Sequence, residues 1–302
     1  MPERPPLGST MTILEPLPHV LAFYDGRIAG RRAFADGPNW VDDGAYELGI
    51  ASYAIVDGED ALVYDTHISI PHARLIRSHL EARGVRRLSV VLSHWHLDHI
   101  AGNEVFADCE IMAHVWCAGE MERRKTRIET GTEDGAPPIV PLVPPTRTYR
   151  DVLPIEVGGL RVELRHADIH SRDQTLLVLP DQGVLLAGDA LEDTVTYVAE
   201  PQGLERHLID LERVAAWGAR HVLPNHGARE IIAAGGYGPG LITATSRYVE
   251  RLLRCPSDAA LAEEDMRSFV APELAKGWIH YFAPYDPVHR ENVKAVCRRG
   301  TV

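Results

Sequence analysis

Ser93-His94-Trp95-His96-Leu97-Asp98-His99 follows the apolar run Leu88-Ser89-Val90-Val91-Leu92. Three imidazoles and a carboxylate fall just where a strand-like segment ends, and both groups are the usual ligands of zinc and related divalent ions. Side chains alternate along an extended segment, so His94 and His96 project together. The turn that follows lets Asp98 and His99 aim at a second point nearby. His-x-His alone is a weak signal. The full His-x-His-x-Asp-His pattern behind a hydrophobic strand is strong, and it reads as half of a two-metal site rather than a polar surface loop.

The partners of such a half-site stand downstream, again past strand ends. His166-Ala167-Asp168-Ile169-His170-Ser171 follows an expected strand at 160–165. Ala187-Gly188-Asp189-Ala190 follows one at 184–186, and Leu223-Pro224-Asn225-His226-Gly227 follows one at 221–223. Loops beyond strands are where several strands converge on one functional edge.

Composition sets the frame. A chain of 302 residues, 45% hydrophobic and 25% charged, has material for one large domain or two small ones. A net charge of −12 argues against a nucleic-acid or anionic-membrane binder, which needs a basic footprint. The four cysteines (Cys109, Cys117, Cys255, Cys297) include no Cys-x-x-Cys pair, so neither a zinc knuckle nor a disulfide framework is expected. With no secretory leader read, the expected home is the cytoplasm. No run approaches the roughly 20 apolar residues of a membrane span. Met1 to Thr10 is polar and Pro-rich, and residues 1–20 are read as a flexible tail.

Further along, 48–56 and 61–64 read as a hairpin about Asp57-Gly58-Glu59-Asp60. The spacing of Ala73, Ile76 and Leu80, stopped by Gly84, predicts a helix over 71–83. A short helix at 101–107, a strand at 109–113 and a helix at 115–125 come next. Residues 126–148, rich in Thr, Gly and Pro, read as a long surface excursion, of the kind that serves as a lid or as a plain connector. The second half brings strands at 152–157, 160–165, 175–179 and 184–186, a helix at 204–217 and a strand at 221–223. Helical segments follow at 240–254, 259–267 and 288–298. Strands followed by helix occur twice, which suggests two similar layers packed together.

The ordered set of His-x-His-x-Asp-His, a later His, Gly-Asp and a terminal His-Gly resembles the metallo-β-lactamase superfamily over about residues 45 to 230. The resemblance implies an α/β fold, a four-layer αββα sandwich, with the domain at 21–254 and a C-terminal helical extension, 255–302, packed on it. Position by position it implies that His94, His96 and His170 hold a first metal. Asp98, His99 and His226 would hold a second, with Asp189 bridging both. His166 competes with His170, but it ends a strand of alternating apolar residues, whereas His170 opens a polar run into the next strand. Asp65 falls where the family carries an aspartate that orients the ligands from behind. Ala101 replaces the first glycine of the usual pair after His99.

The implied cofactors are two divalent ions, zinc first, with iron or manganese as alternatives. The implied activity is hydrolysis of an ester, lactone, thioester or amide in a small organic molecule by a metal-bridged hydroxide, with Asp98 as catalytic carboxylate. Asp189 argues against antibiotic hydrolysis. Glu192 stands where the related lactonases carry tyrosine, no basic glutathione site is visible, and the charge speaks against the tRNA-processing nucleases. A mononuclear-iron sulfur dioxygenase and a phosphodiesterase are the rival readings. The pocket candidates are Trp40, Tyr46, His67, Glu192 and Tyr197, with Asp42, Asp43, Trp116, Arg172, His280 and Tyr281 behind them. The expected partner is a small-molecule substrate; neither nucleic acid nor membrane is expected, and homo-oligomerisation is compatible.

Overall fold

The computed structural model describes residues 4–299. The first half of the chain builds a seven-stranded sheet, β1 (Thr12–Leu17), β2 (Val20–Asp25), β3 (Ile50–Asp57), β4 (Asp60–Tyr64), β5 (Arg87–Val91), β6 (Glu110–His114) and β7 (Arg147–Tyr149), in that spatial order. Pairing is antiparallel from β1 to β4 and parallel from β4 to β7. The second half builds a five-stranded sheet. Here β8 (Val152–Val157), β9 (Leu160–His166), β10 (Thr175–Leu179) and β11 (Val184–Gly188) run antiparallel, and β12 (His221–Pro224) lies parallel to β11. Helices α1 (Ile70–Ala82), α2 (Leu97–Ile100) and α3 (Val115–Glu129) belong to the first half. Helices α4 (Leu204–Ala215), α5 (Arg229–Ala233), α6 (Gly240–Arg254), α7 (Ala259–Ala262), α8 (Met266–Phe269), α9 (Ala271–Ala275) and α10 (Asp286–Arg299) belong to the second.

The layering follows from side-chain alternation. Along β3, Ala51, Tyr53 and Ile55 enter the core between the sheets, while Ile50, Ala54 and Val56 enter the core beneath α1. In β4, Leu62 and Tyr64 take the first side, Ala61 and Val63 the second. A strand apolar on both faces must be covered on both. On the outer side α1 supplies Ala73, Ile76 and Leu80, with Ser69 capping its first turn through His72 N and Pro71 in that turn. The second sheet is covered by α4 and α6 through Leu204, Leu211, Val214, Leu241, Tyr248 and Leu252. The result is the expected αββα sandwich with a helical C-terminal region.

Four tyrosines peg the two sheets together. Tyr24, Tyr53 and Tyr64 donate their hydroxyls across to the carbonyls of Gly227, Pro224 and Thr175 at 3.0, 2.5 and 2.6 Å. Tyr149 donates to Thr175 Oγ1 at 2.8 Å. The acceptors flank the loops that carry His170 and His226, so these bonds fix where the second sheet presents its loop ends. Tyr53→Phe leaves the Pro224 carbonyl without that donor. It is expected to cost about 1–2 kcal/mol, read as a lower urea midpoint at unchanged slope; an unchanged midpoint removes the peg from this account.

Several expectations need correction. The tail read over 1–20 is a strand from Thr12, because Ile13 and Leu14 pair in register with Phe23 and Ala22. Residues 1–3 of that tail, and 300–302 of the C-terminal extension, lie outside the described residues. The helix read at 101–107 is a four-residue 3₁₀ turn, Asn103–Phe106. The piece read as one helix over 259–267 is two, because Asp258 and Asp265 each cap a new turn, accepting from Leu261 N and Ser268 N. The 126–148 excursion is anchored at both sides. Trp40 Nε1 donates to Pro137 O at 3.0 Å, Glu129 Oε1 accepts from Leu142 N at 3.1 Å, and Arg124 and Arg127 pair with Glu133.

Candidate metal centre

The loops beyond β4, β5, β9, β11 and β12 converge at one end of the sandwich. His94 Nε2 and His170 Nε2 lie 2.9 and 3.1 Å from His96 Nδ1. Beside them, His226 Nε2 and His99 Nε2 lie 3.2 and 3.4 Å from Asp98 Oδ2. Asp189 Oδ2 stands between the two groups, 3.1 Å from His99, 3.4 Å from His226, 3.7 Å from His94 and 3.9 Å from His170. Two sets result, His94–His96–His170–Asp189 and Asp98–His99–Asp189–His226, each with its donor atoms within 4.8 Å of one another. Donors around a tetrahedral ion with bonds of ~2.1 Å stand roughly 3.4 Å apart, so the spacing fits. Asp189 Oδ1 is buried without a partner, a cost that coordination to a cation removes.

The far side of the imidazoles is held as well. Asp65 Oδ2 meets His99 Nδ1 at 2.9 Å, while Gly49 O meets His226 Nδ1 at 2.8 Å and Tyr197 O meets His170 Nδ1 at 3.0 Å. Ser93 Oγ lies 2.9 Å from His94 Nδ1. A carbonyl acceptor requires Nδ1 to carry the proton and so leaves Nε2 as the donor to metal. Asp65 itself accepts from Ser93 N and Asn225 Nδ2, both at 2.6 Å. His170 sits at φ +66°, a left-handed conformation that costs a non-glycine residue energy and recurs at functional sites.

Charge separates the two sets. Burial holds His94, His96 (pushed down to about 3) and His170 (about 4) in the neutral form. Burial opposes charge on His99 and His226 too, yet the carboxylate of Asp189, with that of Asp98, raises both well above the ordinary imidazole value. Burial likewise opposes ionisation of Asp98 and Asp189, but His99 and His226 hold both carboxyls well below their usual range.

The model of the metallo-β-lactamase superfamily matches residues 45–240. The chain belongs to that superfamily. Among characterised relatives, an atrochrysone carboxyl ACP thioesterase of Aspergillus terreus is 25% identical over 181 residues, 60% of this chain and 50% of that one. The lactamase-like protein ptaB of Pestalotiopsis fici is 30% identical over 142 residues, 47% of this chain and 39% of that one. The chain thus spans about half or less of the length of these relatives. Of solved structures, a metallo-β-lactamase from Pontibacter korlensis aligns at a TM-score of 0.60 and 14% identity, covering 80% of this chain and 99% of that one. That likeness is one of fold.

A cavity of about 440 Å³ opens over the cluster. Of the residues expected to line it, Trp40, Glu192 and Tyr197 do. Tyr46 does not: it is buried, with its hydroxyl 3.2 Å from Thr10 Oγ1. Nor does His67, which is wholly buried and stacked on His72 with ring centroids 4.4 Å apart. His166, the rival ligand, stacks on His114 and meets Arg172 O with its Nε2. Trp116 packs on the same histidines, with Arg172 over its ring. Asp42 ties the 33–35 backbone, and Asp43 lines the cavity. His280 pairs with Asp193, and Tyr281 with Asp286.

Residues not singled out from the sequence complete the site. Leu48, Trp95, Arg124, Asp134 and Val288 line the cavity. Arg124 lies 3.8 Å over the Trp95 ring. Asp173, wholly buried, accepts from Trp95 N at 2.9 Å and so steadies the backbone between His94 and His96; burial pushes its carboxyl up to about 7. Glu192 is raised to about 7 by burial and by Asp189. The run His170-Ser171-Arg172-Asp173 was the one sequence signal for Asp173; Trp95 stands within the His-x-His motif, while Arg124 and Val288 reach the cavity from α3 and α10.

Proposed function

We propose that this chain is a binuclear metal-dependent hydrolase acting on an ester-like bond, a thioester first, of a small and largely apolar substrate. The observation that carries the reading is the single oxygen, Asp189 Oδ2, placed within 3.9 Å of four imidazoles from two adjoining donor sets. His94, His96 and His170 would hold one divalent ion, Asp98, His99 and His226 the second, and Asp189 both. When bound, such ions supply an activated water and polarise the scissile carbonyl. Asp98 lines the cavity and keeps partial solvent contact, which places its carboxylate to hold the nucleophile's proton and pass it to the leaving thiol or alcohol. Trp40, Leu48, Trp95, Tyr197 and Val288 give the substrate apolar walls and exclude water around the reacting carbonyl. The thioesterase names among the relatives favour the thioester.

The test is a panel of thioesters, esters, lactones, amides and a nitrophenyl phosphodiester, assayed with zinc-loaded and chelated protein. Carbonyl substrates should turn over only when metal is present. Turnover confined to the phosphodiester, or unaffected by chelation, would sink the reading.

The cavity rim adds a prediction about substrate charge. Asp43, Glu133 and Asp134 face it, and among the described residues the one arginine or lysine lining it, Arg124, is already paired with Glu120 and Glu133. Among otherwise matched esters, one with a carboxylate on the acyl tail is expected to lose about tenfold in kcat/KM. That is ~1.4 kcal/mol, the scale of one like-charge contact across several partly screened ångströms. Asp134→Asn should narrow the gap, and a gap unchanged in that variant assigns the selectivity elsewhere.

A further inference from the structure

His170 donates its Nδ1 proton to the carbonyl of Tyr197, yet Tyr197 lies in an irregular stretch after β11 that no sheet or helix ladder holds. What fixes that carbonyl comes from the far end of the chain. Asn292, on α10 and wholly buried, grips the backbone on both sides of Tyr197. Its Oδ1 accepts from Val198 N at 2.8 Å, and its Nδ2 donates to Thr196 O at 2.9 Å. The second Nδ2 proton goes to Tyr248 Oη on α6, at 2.9 Å. The same stretch reaches the ligand shared by both sets, since Thr196 Oγ1 donates to Asp189 O at 2.7 Å. Glu192 Oε1 accepts from Tyr197 N at 2.8 Å, and Tyr285 donates to Glu192 Oε2 at 2.9 Å.

From this chain of bonds we infer that Asn292 is a positioning residue for His170 and, through Thr196, for Asp189, so that the C-terminal helix is a working part of the His94–His96–His170–Asp189 set. The inference rests on the metal-dependent reading above. An amide is the side chain the position demands, because it offers an acceptor and two donors in one plane. A carboxylate keeps the acceptor for Val198 N but turns a lone pair on the Thr196 carbonyl; an aliphatic residue offers neither bond. Loss of the grip lets the Tyr197 carbonyl move, and His170 loses the partner that sets its tautomer and ring angle. In the other set His99 and His226 are held instead by Asp65 and Gly49, and Asn292 reaches only its shared member, Asp189, by way of a main-chain carbonyl, so the effect falls chiefly on the set that contains His170.

The test is zinc binding, which needs no substrate. Wild type, Asn292→Asp, Tyr248→Phe and His170→Ala are titrated against a chromophoric chelator, with thermal unfolding of the metal-free proteins in parallel. Asn292→Asp is expected to weaken one of two zinc ions by 10–100-fold, the range found when partners behind metal ligands are removed. The second ion should stay within about threefold of wild type, a milder copy of the His170→Ala profile. Tyr248→Phe spares both backbone bonds and should lower the unfolding temperature while leaving both zinc affinities in place. If Asn292 served only to pin α10, Asn292→Asp and Tyr248→Phe would behave alike, stability down and both affinities unchanged, and the inference fails. Should Asn292→Asp not fold, Asn292→Ser is read by the same titration. A wild-type chain that takes up no zinc overturns the underlying metal reading, and that result is distinct because it precedes any variant.

Discussion

Alanine at position 189 is expected to abolish turnover while leaving a folded chain. Asp189 is the one side chain shared by both donor sets, and its Oδ2 has no equivalent within reach of all four imidazoles. Removing it leaves His94, His96 and His170 on one side and Asp98, His99 and His226 on the other, each one ligand short, with the negative charge that balances two dications reduced. We expect kcat/KM to fall by at least about a thousandfold, ~4 kcal/mol of transition-state stabilisation, and zinc content to drop below two per chain. The fold should survive, because the tie from Thr196 Oγ1 reaches the main-chain carbonyl of residue 189, and the neighbours Ala187, Ala190 and Leu191 stay buried in the inter-sheet core. Elemental analysis with initial rates and circular dichroism checks all three. A folded variant that retains two zinc ions and wild-type rate contradicts the assignment of Asp189 as the shared ligand.

The second large effect concerns pH and metal together. His99 and His226 are raised well above the ordinary imidazole value in the metal-free chain, whereas His94, His96 and His170 are lowered and already neutral. An ion entering the second set must therefore displace protons, and one entering the first need not. Calorimetric titration in buffers of different ionisation enthalpy should show proton release with one of the two zinc ions and little with the other. A raised imidazole also stabilises the metal-free fold below pH ~6.5, and that contribution fades as pH rises through the folded-state value. The metal-loaded form behaves in the opposite sense. The gap in thermal stability between loaded and metal-free protein should thus widen from pH 5.5 to pH 8. At a hundredfold excess over Kd each ion adds about 2.7 kcal/mol. Equal proton release for both ions, or a gap independent of pH, is the outcome that defeats this account.

Much of this was legible in the chain because its informative elements are local. His94, His96, Asp98 and His99 sit just beyond β5, and the apolar runs on either side of Asp57-Gly58-Glu59-Asp60 read as the hairpin that β3 and β4 form. β1 and β2 were missed since Pro16 and Pro18 break the pattern that Ile13 and Leu14 begin, and the pairing with Phe23 and Ala22 is a tertiary choice. The cavity walls were the least readable part. Tyr46 and His67 are near the site in sequence yet turned into the core, whereas Arg124 and Val288 reach it from helices whose own periodicity says only that they are amphipathic. Nothing in the residues around Asn292 announces that it holds a loop almost a hundred positions away.

The tyrosine pegs and the donor sets share a geometry with a mechanical consequence. Each set draws two side chains from before residue 100 and two from after residue 169, so a bound ion would rivet the front half of the sandwich to the back. Such a clasp forms only in the native arrangement, so its binding free energy adds to that of folding. The chain, whose cysteines are all unpaired, would then draw from its cofactors the resistance to unzipping that other proteins obtain from sulfur.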